Sequence, residues 1–243
     1  MKATMTEKII NYLHGILSHF AEMENDKFDD FRTEIKERFG FEKDFGWNIL
    51  LNSIFIIQDT ELAKESFKEF DLQGPCRHID IGERYLRLYG LLNSINLQRI
   101  AIINLVEIFK IQNKKEIIEC FQKLKIIELR HKVAAHSSDF KHTEDNAEND
   151  YFVYEISRYE LKQDKVRLCL NQKSFEFYDL KKEIENFESF SNNILMEINR
   201  KLIKKIFNNQ GKYYDDFQLL EEEYKGNLVF KLPNGDNTIV RFK

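Results

Sequence analysis

The chain has 243 residues, of which 42% are hydrophobic and 32% charged, with 21 Phe and 10 Tyr; this excludes a disordered polymer and suits one sizeable domain, or one with an appendage. Its formal net charge of −4 argues against a general nucleic-acid coat protein, which needs many Lys and Arg contacts to phosphates, but not against an enzyme with a local basic site. Only 2 Pro and 9 Gly punctuate it, so long helices are expected rather than a many-turned sandwich or barrel.

Glu7, Asn11 and His14 interrupt any apolar run at the start, so neither a secretory signal nor a membrane span of about 20 apolar residues is expected, and the protein is read as cytoplasmic. Ile9, Ile10, Leu13, Ile16, Leu17 and Phe20 recur at three and four, predicting an amphipathic helix capped by Thr4 or Thr6. Phe28, Phe31, Ile35 and Phe39 predict a second helix ending at Gly40. Residues 46–57 and 59–70 are predicted as two helices separated by a cap signal at Gln58-Asp59-Thr60, the first deeply buried and the second ended by Gly74-Pro75.

Residues 79–110 carry the longest periodic run and predict one long helix, bent near residues 93–96. Asn113 is expected to cap a short helix reaching Leu124, followed by a helical segment from Ile126 to about His136 and a polar loop over residues 137–150. Residues 151–157 and 165–170 are β-prone and flank a Gln163-Asp164 turn, predicting a hairpin. Ile184, Phe187, Phe190, Ile194, Leu195, Ile198, Leu202 and Ile206 predict another long helix over residues 180–206. Beyond Gly211 the character changes, and Asn234-Gly235 predicts a C-terminal hairpin. The expected division is a helical domain over residues 1–210, including a β-hairpin near 151–171, and a small hairpin appendage over 211–243. Cys76, Cys120 and Cys169 are odd in number, widely spaced and without a CxxC, and are read as buried thiols.

One run looks chemical: Glu128-Leu129-Arg130-His131-Lys132-Val133-Ala134-Ala135-His136. Histidine supplies a base near neutral pH, and arginine a permanent cation whose fork fits phosphate oxygens. In metal-free RNA cleavage a 2′-hydroxyl attacks the neighbouring phosphate, so a base takes its proton while a cation stabilises the charge that builds on phosphorus oxygens. His136 and Arg130 suit those roles. Six residues of α-helix rise about 9 Å and place the two about 120° apart, so a break near Ala134-Ala135 would help them meet. Basic residues also gather here, from Lys110, Lys114 and Lys115 through Lys123 and Lys125 to Lys132, although such runs are most often solvated helix faces.

The run resembles the motif of the HEPN superfamily: Arg130, a polar His131, a spacer over residues 132–135, and His136. The resemblance covers residues 1 to about 208 and implies a mainly α fold, a HEPN-like bundle of long antiparallel helices, to which the strand and turn signals add the small β-hairpin after the motif and the C-terminal β-hairpin appendage. It implies a metal-independent endoribonuclease without cofactors, acting as a homodimer whose two motifs form one RNA-binding cleft, in a toxin–antitoxin, phage-defence or RNA-processing system with an antitoxin or regulatory protein. Arg130 and His136 would be catalytic, His131 supporting, and Lys132 and Ser137 RNA-contacting. Members regulated by a partner nucleotidyltransferase often carry Tyr two residues beyond the motif His; Ser138 stands there in this chain, so that regulation is not implied. A non-catalytic HEPN-type dimerisation module is the alternative.

Other chemistries fit less well. His131, His136 and His142 with Asp139 match no trusted zinc spacing. Ser137 and Ser138 lie on no strand-to-helix elbow. Glu128 and Lys132, four apart on a helix, are spaced for a plain ion pair. The aromatic run at 151–157 is read as covering a helical core rather than stacking bases.

Overall fold

Thr4 and Glu7 start the first helix of the computed structural model, which describes residues 3–25, 31–42, 45–75, 80–135, 153–232 and 237–241. The Glu7 amide donates to Thr4 Oγ1 at 3.1 Å and the Thr4 amide to Glu7 Oε2 at 2.9 Å, a reciprocal capping box opening α1 (Met5–Asn25). Thr4 is therefore the cap. Thr6, the other candidate, is buried and donates to Asn192 Oδ1.

Next comes α2 (Phe31–Phe39), which stops where Gly40 takes φ +64°. The Gly40 amide reaches Glu37 O and the Phe41 amide Lys36 O, the paired hydrogen bonds of a Schellman stop. Residues 46–70 form one helix, α3 (Gly46–Phe70), not two. Asp59 and Thr60 cap nothing because the backbone stays helical through them, and its phase decides burial. Leu50, Ile54 and Ile57 are buried, while Phe55 faces outward. The same stripe continues through Glu61, Lys64 and Phe67, so the charged pair is interior and Leu62 is 63% exposed.

α4 (Ile81–Ile108) is helical throughout, residues 93–96 included. It is capped by Asp80, whose Oδ1 accepts from the Gly82 amide at 2.7 Å. Asn113 does precede α5 (Lys114–Gln122), but in a left-handed conformation with no side-chain cap bond. Then follow α6 (Lys125–Arg130) and a π turn, His131–Ala135. β1 (Tyr154–Ile156) pairs antiparallel with β2 (Lys165–Leu170), and β2 with β3 (Ser174–Asp179). The expected hairpin is thus two strands of a three-stranded sheet. Asn171 and Gln172 make the second turn at φ +50° and +56°, a conformation glutamine does not advertise.

α7 (Leu180–Phe207) matches the expected long helix. Residues 211–243 hold more than a hairpin: α8 (Lys212–Tyr224) precedes β4 (Leu228–Lys231) and β5 (Asn237–Val240), which pair antiparallel. The Asn234-Gly235 turn lies outside the described residues, as does Cys76. Cys120 and Cys169 are free and only half-buried, which corrects the reading of buried thiols. No helix among the described residues is long and apolar enough to cross a membrane.

The contacts define two compact units. One comprises Met1–Gln58, Ala101–Gln112 and Ser191–Lys243. Here α8 lies along α1, with Phe217 stacked on Tyr12 at 5.7 Å and Lys8 paired to Glu223. Lys201 and Lys205 donate to Lys110 O and Phe39 O, satisfying carbonyls at the ends of α4 and α2. The other comprises Asp59–Ile100 and Asn113–Phe190. Arg87 donates to Asp71 O and Ser66 O, and Gln98 to Glu61 Oε2, holding these stretches of α3 and α4 antiparallel.

At the centre of this second unit Lys64 Nζ lies 2.6 Å from Glu61, 2.9 Å from Glu188 of α7, and 5.7 Å from the Phe187 ring centre. Burial opposes the charge on Glu188, yet Lys64 and Lys68 together hold its carboxyl below the usual glutamate value. A depressed folded value means the ion pair stabilises fully above the unfolded glutamate pKa, about 4.3, and less as pH falls through the folded one. Glu188→Gln is expected to flatten the loss of stability between neutral and acid pH in urea unfolding. Lys64→Met, which strands Glu61 without its cation, is expected to cost about 3–5 kcal/mol.

Candidate functional site

Leu124, extended at ψ 128°, breaks the chain between α5 and α6. Ile126, Ile127 and Leu129 then enter the core, which fixes the phase of the motif and leaves Arg130 and His131 half-exposed. The helix widens after Arg130 into the π turn, where Val133 is buried and Ala134 exposed. A π turn accommodates an extra residue per hydrogen-bonded ring and occurs most often as a local feature at functional sites.

The two cations of the motif meet opposite fates. Lys132 Nζ lies 2.5 Å from Glu128 and 2.6 Å from Glu176 of β3, donates to the Tyr178 hydroxyl at 3.2 Å, and sits 4.9 Å from the Tyr154 ring centre. Burial alone would lower its pKa, but these partners raise it well above the usual lysine range. Burial raises the Tyr178 hydroxyl too, aided by its hydrogen bond to Glu176. The Glu128 pairing anticipated at four residues is present, and Lys132 also pins the π turn to the sheet.

Arg130 instead borders an open depression of about 340 Å³ with Tyr89, Asn93, Val133 and Ala134. Among the described residues no carboxylate pairs with it. Arg99 of α4 is a further arginine of this unit. Its Nε and Nη2 donate to Asn96 Oδ1 at 3.2 and 3.0 Å. Burial, and then the charge of Arg130, hold its pKa below the usual arginine value.

α4 also presents an apolar stripe to solvent: Leu86 is 67% exposed, and Tyr89, Leu97 and Ile100 each about 40%. With Asn93 they recur at three and four, forming one face. Tyr89 and Asn93 belong both to this stripe and to the depression at Arg130. A helix whose apolar residues surround most of its circumference leaves some outside.

His136, Ser137, Ser138, Asp139 and His142 lie outside the described residues, so the structure places Arg130, His131 and Lys132 of the motif. No protein-family model matches the chain, and neither a curated protein nor a solved structure matches it.

Elsewhere, oxygens of Glu61, Glu65 and Glu188 come within 4.8 Å of one another. Two ammonium groups stand among them, Lys64 against Glu61 and Glu188, and Lys68 against Glu65 and Glu188. Lysine charge therefore does there what a bound cation would do. On the outer face of the sheet Arg167 lies 3.6 Å from the Phe175 ring centre and pairs with Glu160.

Replacing Lys132 with alanine removes one ammonium shared by three groups, Glu176, Glu128 and Tyr178. The expected cost is about 1–3 kcal/mol in chemical denaturation, against a near-neutral result if Lys132 were an ordinary solvated lysine.

Proposed function

We propose that this chain is a HEPN-type, metal-independent endoribonuclease acting as a homodimer, and serving a toxin–antitoxin or phage-defence system with an antitoxin or regulatory protein as a further partner. The observation that carries the reading is the position of Arg130. It keeps its charge free of carboxylates among the described residues, at a depression that adjoins an exposed apolar stripe. A solvent-exposed row of Leu, Tyr and Ile on one helix face is the kind of surface that a second helix covers.

Two copies paired along this stripe bring two Arg130 groups to one cleft. His136 takes the proton from a ribose 2′-hydroxyl, whose oxygen attacks the adjacent phosphorus. Arg130 stabilises the negative charge accumulating on the phosphoryl oxygens. The bond to the 5′-oxygen breaks, the second copy of the motif returns a proton to that leaving oxygen, and the products are a 2′,3′-cyclic phosphate and a 5′-hydroxyl. His131 supports the site. Lys132, tied to Glu128 and Glu176, holds the π turn rather than the RNA.

Purified protein is expected to cleave RNA in the presence of a metal chelator and leave cyclic phosphate ends, and His136→Ala to abolish this while staying dimeric. Intact RNA after prolonged incubation with wild type would sink the catalytic reading. The same stripe supports the alternative, a HEPN-type dimerisation module without activity, which predicts a dimer and no cleavage. Leu97→Glu is expected to turn the dimer into a monomer in sedimentation and, if the site is composite, to remove cleavage as well; a wild-type monomer refutes the composite site.

A further inference from the structure

We propose that the depression beside Arg130 continues into a subsite for an unpaired RNA base, in which the base stacks on Tyr89, meets the open edge of β1 with its own polar edge, and has its neighbouring phosphate held by Arg158. This rests on the ribonuclease reading above and names the form of RNA that the site takes, a single strand.

A second open depression, of about 570 Å³, has Tyr85 and Tyr89 of α4 on one side and the residues of β1 with Arg158 on the other. It shares Tyr89 and Val133 with the depression that Arg130 borders, so the two form one continuous path. All of it lies within the second compact unit. Tyr85 and Tyr89 stand about one helical turn apart, with ring centres 6.0 Å from each other. Tyr89 is 40% exposed and offers a π-face to a base of any sequence.

The opposite wall offers hydrogen bonds. β1 is an edge strand of its sheet. Val153 O accepts from the Asn171 amide, and the Ser157 amide donates to Arg167 O; in an antiparallel pair alternate residues turn their backbone groups to the neighbour. Residues 153, 155 and 157 therefore face β2. The N–H and C=O groups of Tyr154 and Ile156 point the other way and meet no backbone partner among the described residues. Three residues are a short template for a protein strand, which typically runs to about 5–6, but they are enough for the donors and acceptors on the edge of one base.

Charge favours the same occupant. Arg158 is exposed and, like Arg130, carries no ion pair among the described residues, so the path has an available guanidinium at each end. Glu155 is the acidic residue of the wall. A carboxylate turns phosphate away and accepts from the amino group of a base, which puts the base against β1 and the phosphates at the arginines. The Tyr154 ring is already used by Lys132, 4.9 Å from its centre, so Tyr154 contributes its backbone.

The probe is a short fluorescent oligocytidylate with 2′-methoxy groups, which lacks the attacking hydroxyl and so reports binding alone. Tyr89→Ala is expected to weaken its binding roughly tenfold, the loss of one stacked base, and Tyr89→Trp to retain it. An oligomer of equal charge without bases is expected to bind wild type and Tyr89→Ala equally weakly. Arg158→Gln is expected to lower the slope of log affinity against log salt by about 0.7, one phosphate contact on a single strand. Arg158 is exposed and lies off the α4 stripe, so this variant decides the matter if Tyr89→Ala fails to fold or to dimerise. Hydrogen exchange at the Tyr154 and Ile156 amides is expected to slow when the probe binds.

Folded Tyr89→Ala and Arg158→Gln that bind the probe as wild type does overturn the subsite, as does an RNA duplex that competes as well as the single strand. Exchange at Tyr154 and Ile156 that is already slow in the protein alone means that a protein strand covers the edge, and overturns it too. If wild type still cleaves RNA in those cases, the ribonuclease reading stands without the subsite. Probe binding that depends on both residues in a chain that cleaves no RNA upholds the subsite and sinks the ribonuclease. A wild type that neither binds nor cleaves overturns both.

Discussion

A lysine with no solvent exposure must find carboxylates or lose its charge, and Lys64 finds two, Glu61 on its own helix and Glu188 on α7. Most of the second unit follows from that requirement. α3 does not break at Asp59-Thr60, so its apolar stripe runs on into Glu61 and Lys64 and carries them inward. Once inside, isolated charges would be very costly, and the partners that relieve the cost come from elsewhere: Glu188 from α7 and Gln98 from α4. The geometry of the network thereby sets how α4 lies, and α4 is the helix whose outward face bears Tyr89, Asn93 and Leu97.

Around the motif the same physics divides two cations two residues apart. Lys132 reaches two carboxylates and a hydroxyl and has its charge consumed within the protein. Arg130 is left beside an open depression. Stability and chemistry are thus assigned to different residues of one short run. Lys132 anchors the π turn on the sheet, and Arg130 retains the field that an anion would feel. A basic stretch counted along the chain does not reveal this division, because only the partners decide which charges remain available.

Much of the architecture was legible where local signals agree. The spacing of Ile9 to Phe20 and of Ile184 to Ile206 produced α1 and α7, Thr4 capped, and Gly40 stopped α2 by a left-handed turn. Local signals failed where a residue has two uses. Asp and Thr cap a helix only when the backbone leaves it, and at residues 59–60 it does not. Gln172 turns the chain at positive φ because strands β2 and β3 close around it, not because glutamine prefers that conformation. α8 was hidden because its buried residues, Phe217 and Leu220, are few among charged ones, and only packing on α1 gives them a core.

What the sequence determined by itself was the helical character of the chain, the strands before and after the turn at Gln163-Asp164, and the availability of an arginine and a histidine six residues apart. Apolar periodicity and side-chain chemistry are local properties, written in neighbouring residues. The tertiary structure alone decided that Lys132 is spent and Arg130 is not, and that part of α4 stays uncovered. Each of these depends on pairs distant in sequence, such as Lys132 with Glu176 and Lys64 with Glu188. Electrostatic pairing acts through space, so it leaves no periodic trace along the chain.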